Sequence, residues 1–375
     1  MENELELFRD NVRRFLESEI APHYTQWEAD EIMPRDVWRK LGEAGLLCVD
    51  MPEKYGGSGA PFTFSCVVVE ELARAGFGAL ASNVSVHSDI AAPYIAHLGS
   101  DAQKAHYLPK MALGEVIGAI AMTEPGAGSD LQGARTRAEV DGDGYRINGQ
   151  KTFITNGQHA DVIVTFTKTD PSAGSKGTAL FLIDAAMEGF ARGRNLEKIG
   201  QHAADTSELF FSDVRVPASA VLGRVGNGFG HLMDELPRER LILAASAVAA
   251  AEGALALTID YVRERHAFGK PLSAQQNTRF EIARMKSDVA VHRAYLEDCK
   301  ARFDAGEFDV ADAAMAKYTT TEMQCRVADG CLQLFGGYGY MREYPIARHF
   351  VDARVQRIYG GTSEIMKEII ARSVL

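Results

Sequence analysis

The sequence predicts an α+β protein with an N-terminal all-α domain, a middle antiparallel β-barrel-like domain and a C-terminal four-helix-bundle domain. Three observations predict it. Apolar residues recur at helical spacing up to about residue 114; five short runs rich in β-branched and aromatic residues follow; the helical period then returns and lasts to the C-terminus. The expected domains are 1–115, 116–226 and 227–375. A chain of 375 residues exceeds what one hydrophobic core usually serves, which agrees with two or three lobes.

In the first lobe, Leu5, Phe8, Val12, Phe15 and Leu16 fall at steps of three and four, and the glycine-rich loop "MPEKYGGSGAPF" separates two such helical groups. In the middle lobe, "VIGAIAMT", "YRINGQKTFIT", "ADVIVTFTKT", "TALFLID" and "SELFFSDVRVP" read as strands, separated by turn formers such as "DGDG" and "DPSAGSKG". No helix lies between them, which indicates an antiparallel sheet or small barrel rather than a parallel sheet. After "GRVGNGFG", the stretches 229–265, 273–305 and 310–335 are each long enough for bundle helices. Near the end, "RIYGGTSEI" reads as a loop followed by a helix, with Thr362 or Ser363 as its cap.

Composition excludes several functions. The chain has 46% hydrophobic and 24% charged residues, an ordinary globular balance. With 40 basic and 51 acidic side chains the net charge is -11, which disfavours general binding to nucleic acid or anionic membranes. The N-terminus lacks the apolar core of a signal peptide, and the longest apolar run, Leu241 to Ala251, is too short to span a bilayer. No membrane insertion is expected, and the location expected is cytoplasmic. Five cysteines without a C-x-x-C pair read as free thiols in a reducing compartment. No H-E-x-x-H, G-x-S-x-G or Walker loop occurs, so no metal site is expected; "GAGSD" lacks the third glycine and helix of a dinucleotide fingerprint.

Two segments carry candidate binding chemistry. "AMTEPGAGSD" follows a strand and groups Thr123, Glu124, Ser129 and Asp130 around a proline and two glycines. It is either a wall of backbone N–H groups and hydroxyls for a polar heteroaromatic ring or an anion, or an ordinary tight turn. In "QKTFITNG", Phe153 and Thr155 stand two apart on a strand and so share a face. They either cover a flat ring and bond its edge, or Phe153 is a normally packed hairpin residue.

Taken together, "AMTEPGAGSD", "KTFITNG", "RERHAFGKPL", "QLFGGYGY" and "IYGGTSEI" resemble, in order and separation, the motifs of acyl-CoA dehydrogenases over essentially the whole chain. Similarity is greatest to the long-chain branch, through "DELPRERL", "MAKYTTTEMQ" and "REYPIARHFVDARVQ". The resemblance implies FAD in a cleft between the β domain and the C-terminal bundle, with Met122, Thr123, Gly128 and Ser129 on one side and Phe153, Ile154 and Thr155 on the other. It implies further FAD contacts from a neighbouring subunit through Arg265, Phe268, Gln276, Gln333, Leu334, Phe335, Gly336 and Gly337, and hence a dimer or a dimer of dimers. Arg265 suits a pyrophosphate because its fork is planar and permanently charged, although on its own it also reads as a solvated helix-end charge. Thr362 and Glu364 would also touch the cofactor, and Ser129, Pro237, Arg240, Gly360 and Gly361 the acyl-CoA.

The reaction implied is removal of an α-proton from an acyl-CoA thioester as the β-hydrogen leaves as hydride, giving a trans-2-enoyl-CoA and passing electrons to an electron-transferring flavoprotein. Many family members place the base directly after the tyrosine of the I-Y-E-G-T motif, where this chain has Gly360. The long-chain and isovaleryl members place it on the first long helix of the bundle, and the matching residue is Glu239. The residues support this separately: Leu232, Leu236, Glu239 and Leu243 form one apolar helical stripe, with Pro237 starting or kinking the helix beside them. The bland alternative pairs Glu239 with Arg238 or Arg240 at the surface; Glu364 is the rival base. With the base elsewhere, Gly360 and Gly361 are expected to leave room at the substrate's C2 and C3 while their N–H groups polarise the thioester oxygen. Two other readings fit the fold: an oxygen-using flavoprotein (acyl-CoA oxidase or flavin monooxygenase) and a non-catalytic acyl-CoA-binding protein.

Overall fold

The computed structural model describes residues 2–375. Seven helices come first: α1 (Glu2–Phe15), α2 (Tyr24–Ala29), α3 (Asp36–Glu43), α4 (Phe62–Arg74), α5 (Gly78–Ser85), α6 (Ala92–Leu98) and α7 (Asp101–Ala112). Eight strands follow: β1 (Gly118–Ala121), β2 (Arg137–Asp141), β3 (Gly144–Thr155), β4 (Val162–Lys168), β5 (Thr178–Asp184), β6 (Phe190–Asn195), β7 (Thr206–Pro217) and β8 (Val221–Leu222). The C-terminal part holds α8 (Gly228–Glu264), the short pair β9 (His266–Ala267) and β10 (Lys270–Pro271), α9 (Gln276–Asp304), α10 (Val310–Phe335), α11 (Pro345–Ala353) and α12 (Ser363–Val374).

The strands form one sheet in the order β6-β7-β3-β2-β4-β5-β8, with β1 added beside β4. Most pairs are antiparallel, as expected, but β1 runs parallel to β4 over four residue pairs, Gly118↔Val162 to Ala121↔Thr165, and β2 meets β4 in parallel at Arg137↔Lys168. The long excursion through β2 and β3 brings the chain back beside β1 in the same direction, a pairing that strand spacing alone does not reveal. Strands β4 and β5 are buried on both faces. Ile163, Phe181 and Ile183 face a core shared with Ala119, Leu209 and Val214, while Val162, Val164, Phe166, Leu180 and Leu182 face Tyr94, Ile95 and Met111 of the helices.

The first and third lobes are joined by a common core, in which Val12 and Leu72 cluster with Leu241, Val248 and Met323. An ion network follows the same seam. Glu70 of α4 accepts from Arg293 at 2.8 Å and Lys300 at 3.1 Å, both on α9, and Glu71 accepts from Arg13 of α1 at 2.8 Å. Helix α8 runs through the middle of this arrangement. Its 37 residues are long and apolar enough to cross a membrane, yet 78% of its most apolar window is buried inside the protein, so it is the central packed helix. Pro237 neither starts nor ends α8 but lies inside it. The N-terminal end of α8 is tied to the sheet, since the Phe229 N–H donates to Thr178 Oγ1 at 2.9 Å and Leu232 shares a core with Phe166 and Leu180.

Candidate active site

Glu239 lies on the buried stripe of α8 and is 5% exposed. Its Oε1 accepts a 2.8 Å hydrogen bond from the Tyr94 hydroxyl of α6. Neither neighbouring arginine takes it. Arg238 reaches the N-terminal lobe, pairing with Asp50 at 2.6 Å, donating to the Asp89 carbonyl at 3.1 Å and lying over the Phe62 ring at 4.5 Å. Arg240 turns the other way and donates to the Gly360 carbonyl at 3.3 Å. The surface ion-pair reading of Glu239 is therefore corrected: the carboxyl is interior and without a salt-bridge partner among the described residues. Burial pushes its pKa up to about 7, against the Tyr94 hydrogen bond and the Arg240 charge, which pull down. Glu364 is the reverse case, exposed in the first turn of α12, and its pKa is lowered chiefly by its own backbone N–H and then by the Thr362 hydroxyl. Two carboxyls with pKa values driven apart separate into a proton acceptor poised near neutrality and a permanent anion.

The glycine loop before α12 sits against both α8 and α10. Gly360 has φ 65° and Gly361 φ 97°, backbone that disfavours any side chain. Arg240 holds the first carbonyl, and Lys317 of α10 donates to the second at 2.6 Å. Burial, with the Arg240 charge adding to it, lowers Lys317 to about 8. The two N–H groups find no acceptor among the described residues, as an oxyanion-binding loop requires. A Cβ on Gly360 would meet Leu243 Cδ1 at 2.5 Å, and one on Gly361 would meet Met366 Cε at 2.6 Å, in each case the tip of a flexible side chain. Thr362 caps α12, its Oγ1 accepting from the Ile365 N–H at 3.3 Å.

The two candidate walls of the middle lobe are fastened together by Lys151. This buried lysine donates to the Met122 carbonyl at 3.0 Å and to Glu124 Oε1 at 2.9 Å, while the Thr152 N–H donates to the Thr123 carbonyl at 2.9 Å. Glu124 also accepts from the N–H groups of Arg135 and Thr136 at 2.6 and 3.0 Å. "AMTEPGAGSD" is thus a tight turn internally, closed by reciprocal Glu124–Ala127 backbone bonds, with Gly128 and Ser129 exposed beyond it. Phe153 departs from simple strand alternation. Its φ is 59°, at the register break between Lys151 and Ile154, and its ring is 68% exposed while Ile154 is buried and Thr155 half-buried. The bulge turns the aromatic out of the sheet, which corrects both the shared-face argument and the packed-hairpin alternative.

A third group assembles at the far end of α8. Arg265, Gln333, Leu334, Phe335, Gly336 and Gly337 line one open cavity of about 540 Å³ with Tyr261 and Tyr338. The Arg265 guanidinium lies 5.3 Å from the Tyr338 ring, and Tyr261 stacks on Phe335 at 3.9 Å. Phe268 and Gln276 do not line this cavity. Phe268 is 96% exposed with φ 54° at the tip of the β9–β10 hairpin, and Gln276 begins α9 at the surface.

Sequence reasoning missed Tyr94, Lys151 and Lys317. Lys317 had a signal, a charge inside the apolar helix stretch "AAMAKY"; Lys151, in a strand that also carries Arg146, Asn148 and Gln150, and Tyr94 had none.

Domain families described as acyl-CoA dehydrogenase N-terminal, middle and C-terminal domains match residues 2–115, 119–214 and 226–375. A long-chain specific acyl-CoA dehydrogenase, mitochondrial, of Sus scrofa is 48% identical over 375 residues, 100% of this chain and 87% of the relative. The crystal structure of an acyl-CoA dehydrogenase from Geobacillus kaustophilus superposes with a TM-score of 0.96 at 49% identity, covering 99% of this chain and 98% of that one. A glutaryl-CoA dehydrogenase from Mycobacterium smegmatis in complex with FADH2 superposes with a TM-score of 0.94 at 30% identity, covering 100% of this chain and 95% of that one.

Proposed function

The chain belongs to the acyl-CoA dehydrogenase family, oxidoreductases that act on CH–CH bonds, and from that premise we propose that it oxidises a medium- or long-chain or branched acyl-CoA to the trans-2-enoyl-CoA with Glu239 as base. The observation that carries this reading is the isolation of Glu239: a buried carboxyl at a pKa of about 7, without a salt-bridge partner among the described residues, beside the arginine that holds the Gly360 loop. A general base works best with its pKa near the operating pH.

The residues present fit FAD. Phe153 offers an exposed ring at the end of a wall that Lys151 fixes, and Arg265 offers a permanent cation in an open cavity next to two glycines without side chains. When bound, FAD supplies the acceptor for the hydride that leaves the β-carbon. Glu239 takes the α-proton and becomes neutral, which its buried surroundings favour. The N–H groups of Gly360 and Gly361 receive the thioester oxygen as negative charge builds there. Arg240 and Lys317 keep the loop turned so that its carbonyls face the helices and its N–H groups remain free. Electrons then pass to an electron-transferring flavoprotein.

A homo-oligomer, a dimer or a dimer of dimers, follows from the same reading. Phe268 and Tyr340, 96% and 84% exposed, stand near the Arg265 end of the molecule as aromatic surface suited to a second copy.

The test is an anaerobic titration of the FAD-loaded protein with octanoyl-CoA and palmitoyl-CoA, for wild type and Glu239→Gln. Flavin bleaching in the wild type and its loss in the variant, with FAD retained, is the expected result. Bleaching that survives in Glu239→Gln refutes the base assignment, and turnover sustained by oxygen alone would make the protein an oxidase.

A further inference from the structure

The carboxyl of Glu239 is asymmetric. Oε1 is bonded to the Tyr94 hydroxyl, whereas Oε2 has no hydrogen-bond partner among the described residues. Tyr94 is itself fully buried, in the cluster of Ile95, Leu108 and Met111, so its ring has little freedom. The contact joins residues 145 apart in sequence and bridges α6 of the N-terminal lobe to α8. One turn away, the same two helices carry a second pair, His97 Nδ1 to Glu235 Oε1 at 2.7 Å. That second rung fixes the spacing of the helices at the surface, and the first then acts inside.

We propose that Tyr94 is the positioning residue of the base: its hydroxyl pins Oε1 and so assigns the α-proton to Oε2. This rests on the reading of Glu239 as base. An unpinned glutamate on an apolar stripe would sample several rotamers, and only some present a lone pair to the α-carbon. One fixed donor removes that search and leaves one free oxygen. The same donor stabilises the ionised form, because a hydrogen bond to the charged carboxylate favours it over the neutral acid. The charged and titratable groups facing this carboxyl are Tyr94 from α6 and Glu235 and Arg240 from α8; Glu235 opposes ionisation and Arg240 assists it.

Tyr94→Phe keeps the ring and removes the donor, whereas replacing Tyr94 by 3-fluorotyrosine keeps the donor and makes it a stronger acid. Glu239 is titrated directly in the substrate-free holoprotein through the infrared band of its protonated carboxyl, identified as the band missing from Glu239→Gln. We expect the midpoint to rise by about one pH unit in Tyr94→Phe, a tenfold loss of carboxylate below the midpoint, and to fall with 3-fluorotyrosine. Flavin reduction by octanoyl-CoA should slow in Tyr94→Phe with its dissociation constant unchanged. A residue that merely fills space would leave the midpoint in place. Unmoved midpoints in both variants, with Glu239→Gln inactive, overturn the role of Tyr94 and leave the base intact; an active Glu239→Gln overturns the base itself. If Tyr94→Phe does not fold, the 3-fluorotyrosine titration decides alone, its downward shift supporting the proposal and a fixed midpoint refuting it.

Discussion

Leu243 occupies the place of a side chain at Gly360: its Cδ1 would lie 2.5 Å from a Cβ there. Gly360→Ala should therefore destabilise the protein by roughly 1–3 kcal/mol, from contact and from the 65° φ together, as read by thermal or urea unfolding. Placing a carboxylate base at position 360 instead of 239 should need three changes. In a Glu239→Gln background, Gly360→Glu is expected to stay inactive in anaerobic flavin reduction until Leu243→Ala is added; recovery without that third change would show that the leucine is no obstacle.

The acid limb of the reaction should report Glu239. Since the carboxylate is the active form and burial lifts its pKa to about 7, the rate of flavin reduction should climb as pH rises through 7 and level off above it. Glu239→Gln should lose roughly 10²–10⁴-fold in that rate. Glu364→Gln should leave the midpoint where it is, because Glu364 titrates below the usual carboxylate range.

The same burial acts on stability. A carboxyl whose folded pKa lies above its unfolded value penalises the folded state as it ionises, so the penalty begins as pH passes the usual carboxylate value near 4.5 and is complete above about 7. Glu239→Gln should accordingly unfold at a higher temperature than wild type at pH 8, by roughly 1–3 kcal/mol of stability, and the difference should shrink toward pH 5. Equal melting at both pH values would remove the case for a penalised base.

Much of the fold, and the burial of Glu239, can be read directly from the amino-acid sequence. Bundle helices read at 273–305 and 310–335 are α9 (Gln276–Asp304) and α10 (Val310–Phe335), because a 3.6-residue period over so many turns has no competing explanation. The apolar stripe through Leu232, Leu236 and Glu239 correctly buried the glutamate. What the sequence hides is contact between distant positions. The partners of Tyr94, Lys151 and Lys317 lie 145, 27 and 44 residues away, and no local pattern encodes them. Phe153 misled for another reason: a left-handed φ is signalled by glycine or asparagine, and an aromatic there gives no warning that the pleat is broken.

Arg265 offers a direct test of the cofactor end. Arg265→Ala removes a permanent cation from an open cavity while the Tyr261–Phe335 stack behind it remains. Purified variant should hold FAD about ten- to a hundredfold more weakly by equilibrium dialysis, the scale of one charge-assisted contact, and Arg265→Lys should recover only part of it. Undiminished FAD content would separate this cavity from cofactor binding.

Arg238, Glu239 and Arg240 are consecutive, yet they address the N-terminal lobe, the Tyr94 hydroxyl and the Gly360 loop in turn. Each step along a helix swings the side chain by about 100°. Deleting a single residue between the anchored start of α8 and Glu239 would therefore present Arg240 where the carboxylate belongs and turn the carboxylate toward Asp50 and Asp89, and inserting one would present Arg238 there and turn the carboxylate toward the Gly360 loop. The length of that segment is more tightly fixed than its identity: descendants of this gene can exchange amino acids there, but a change in their number would have to erase the site and build it again elsewhere.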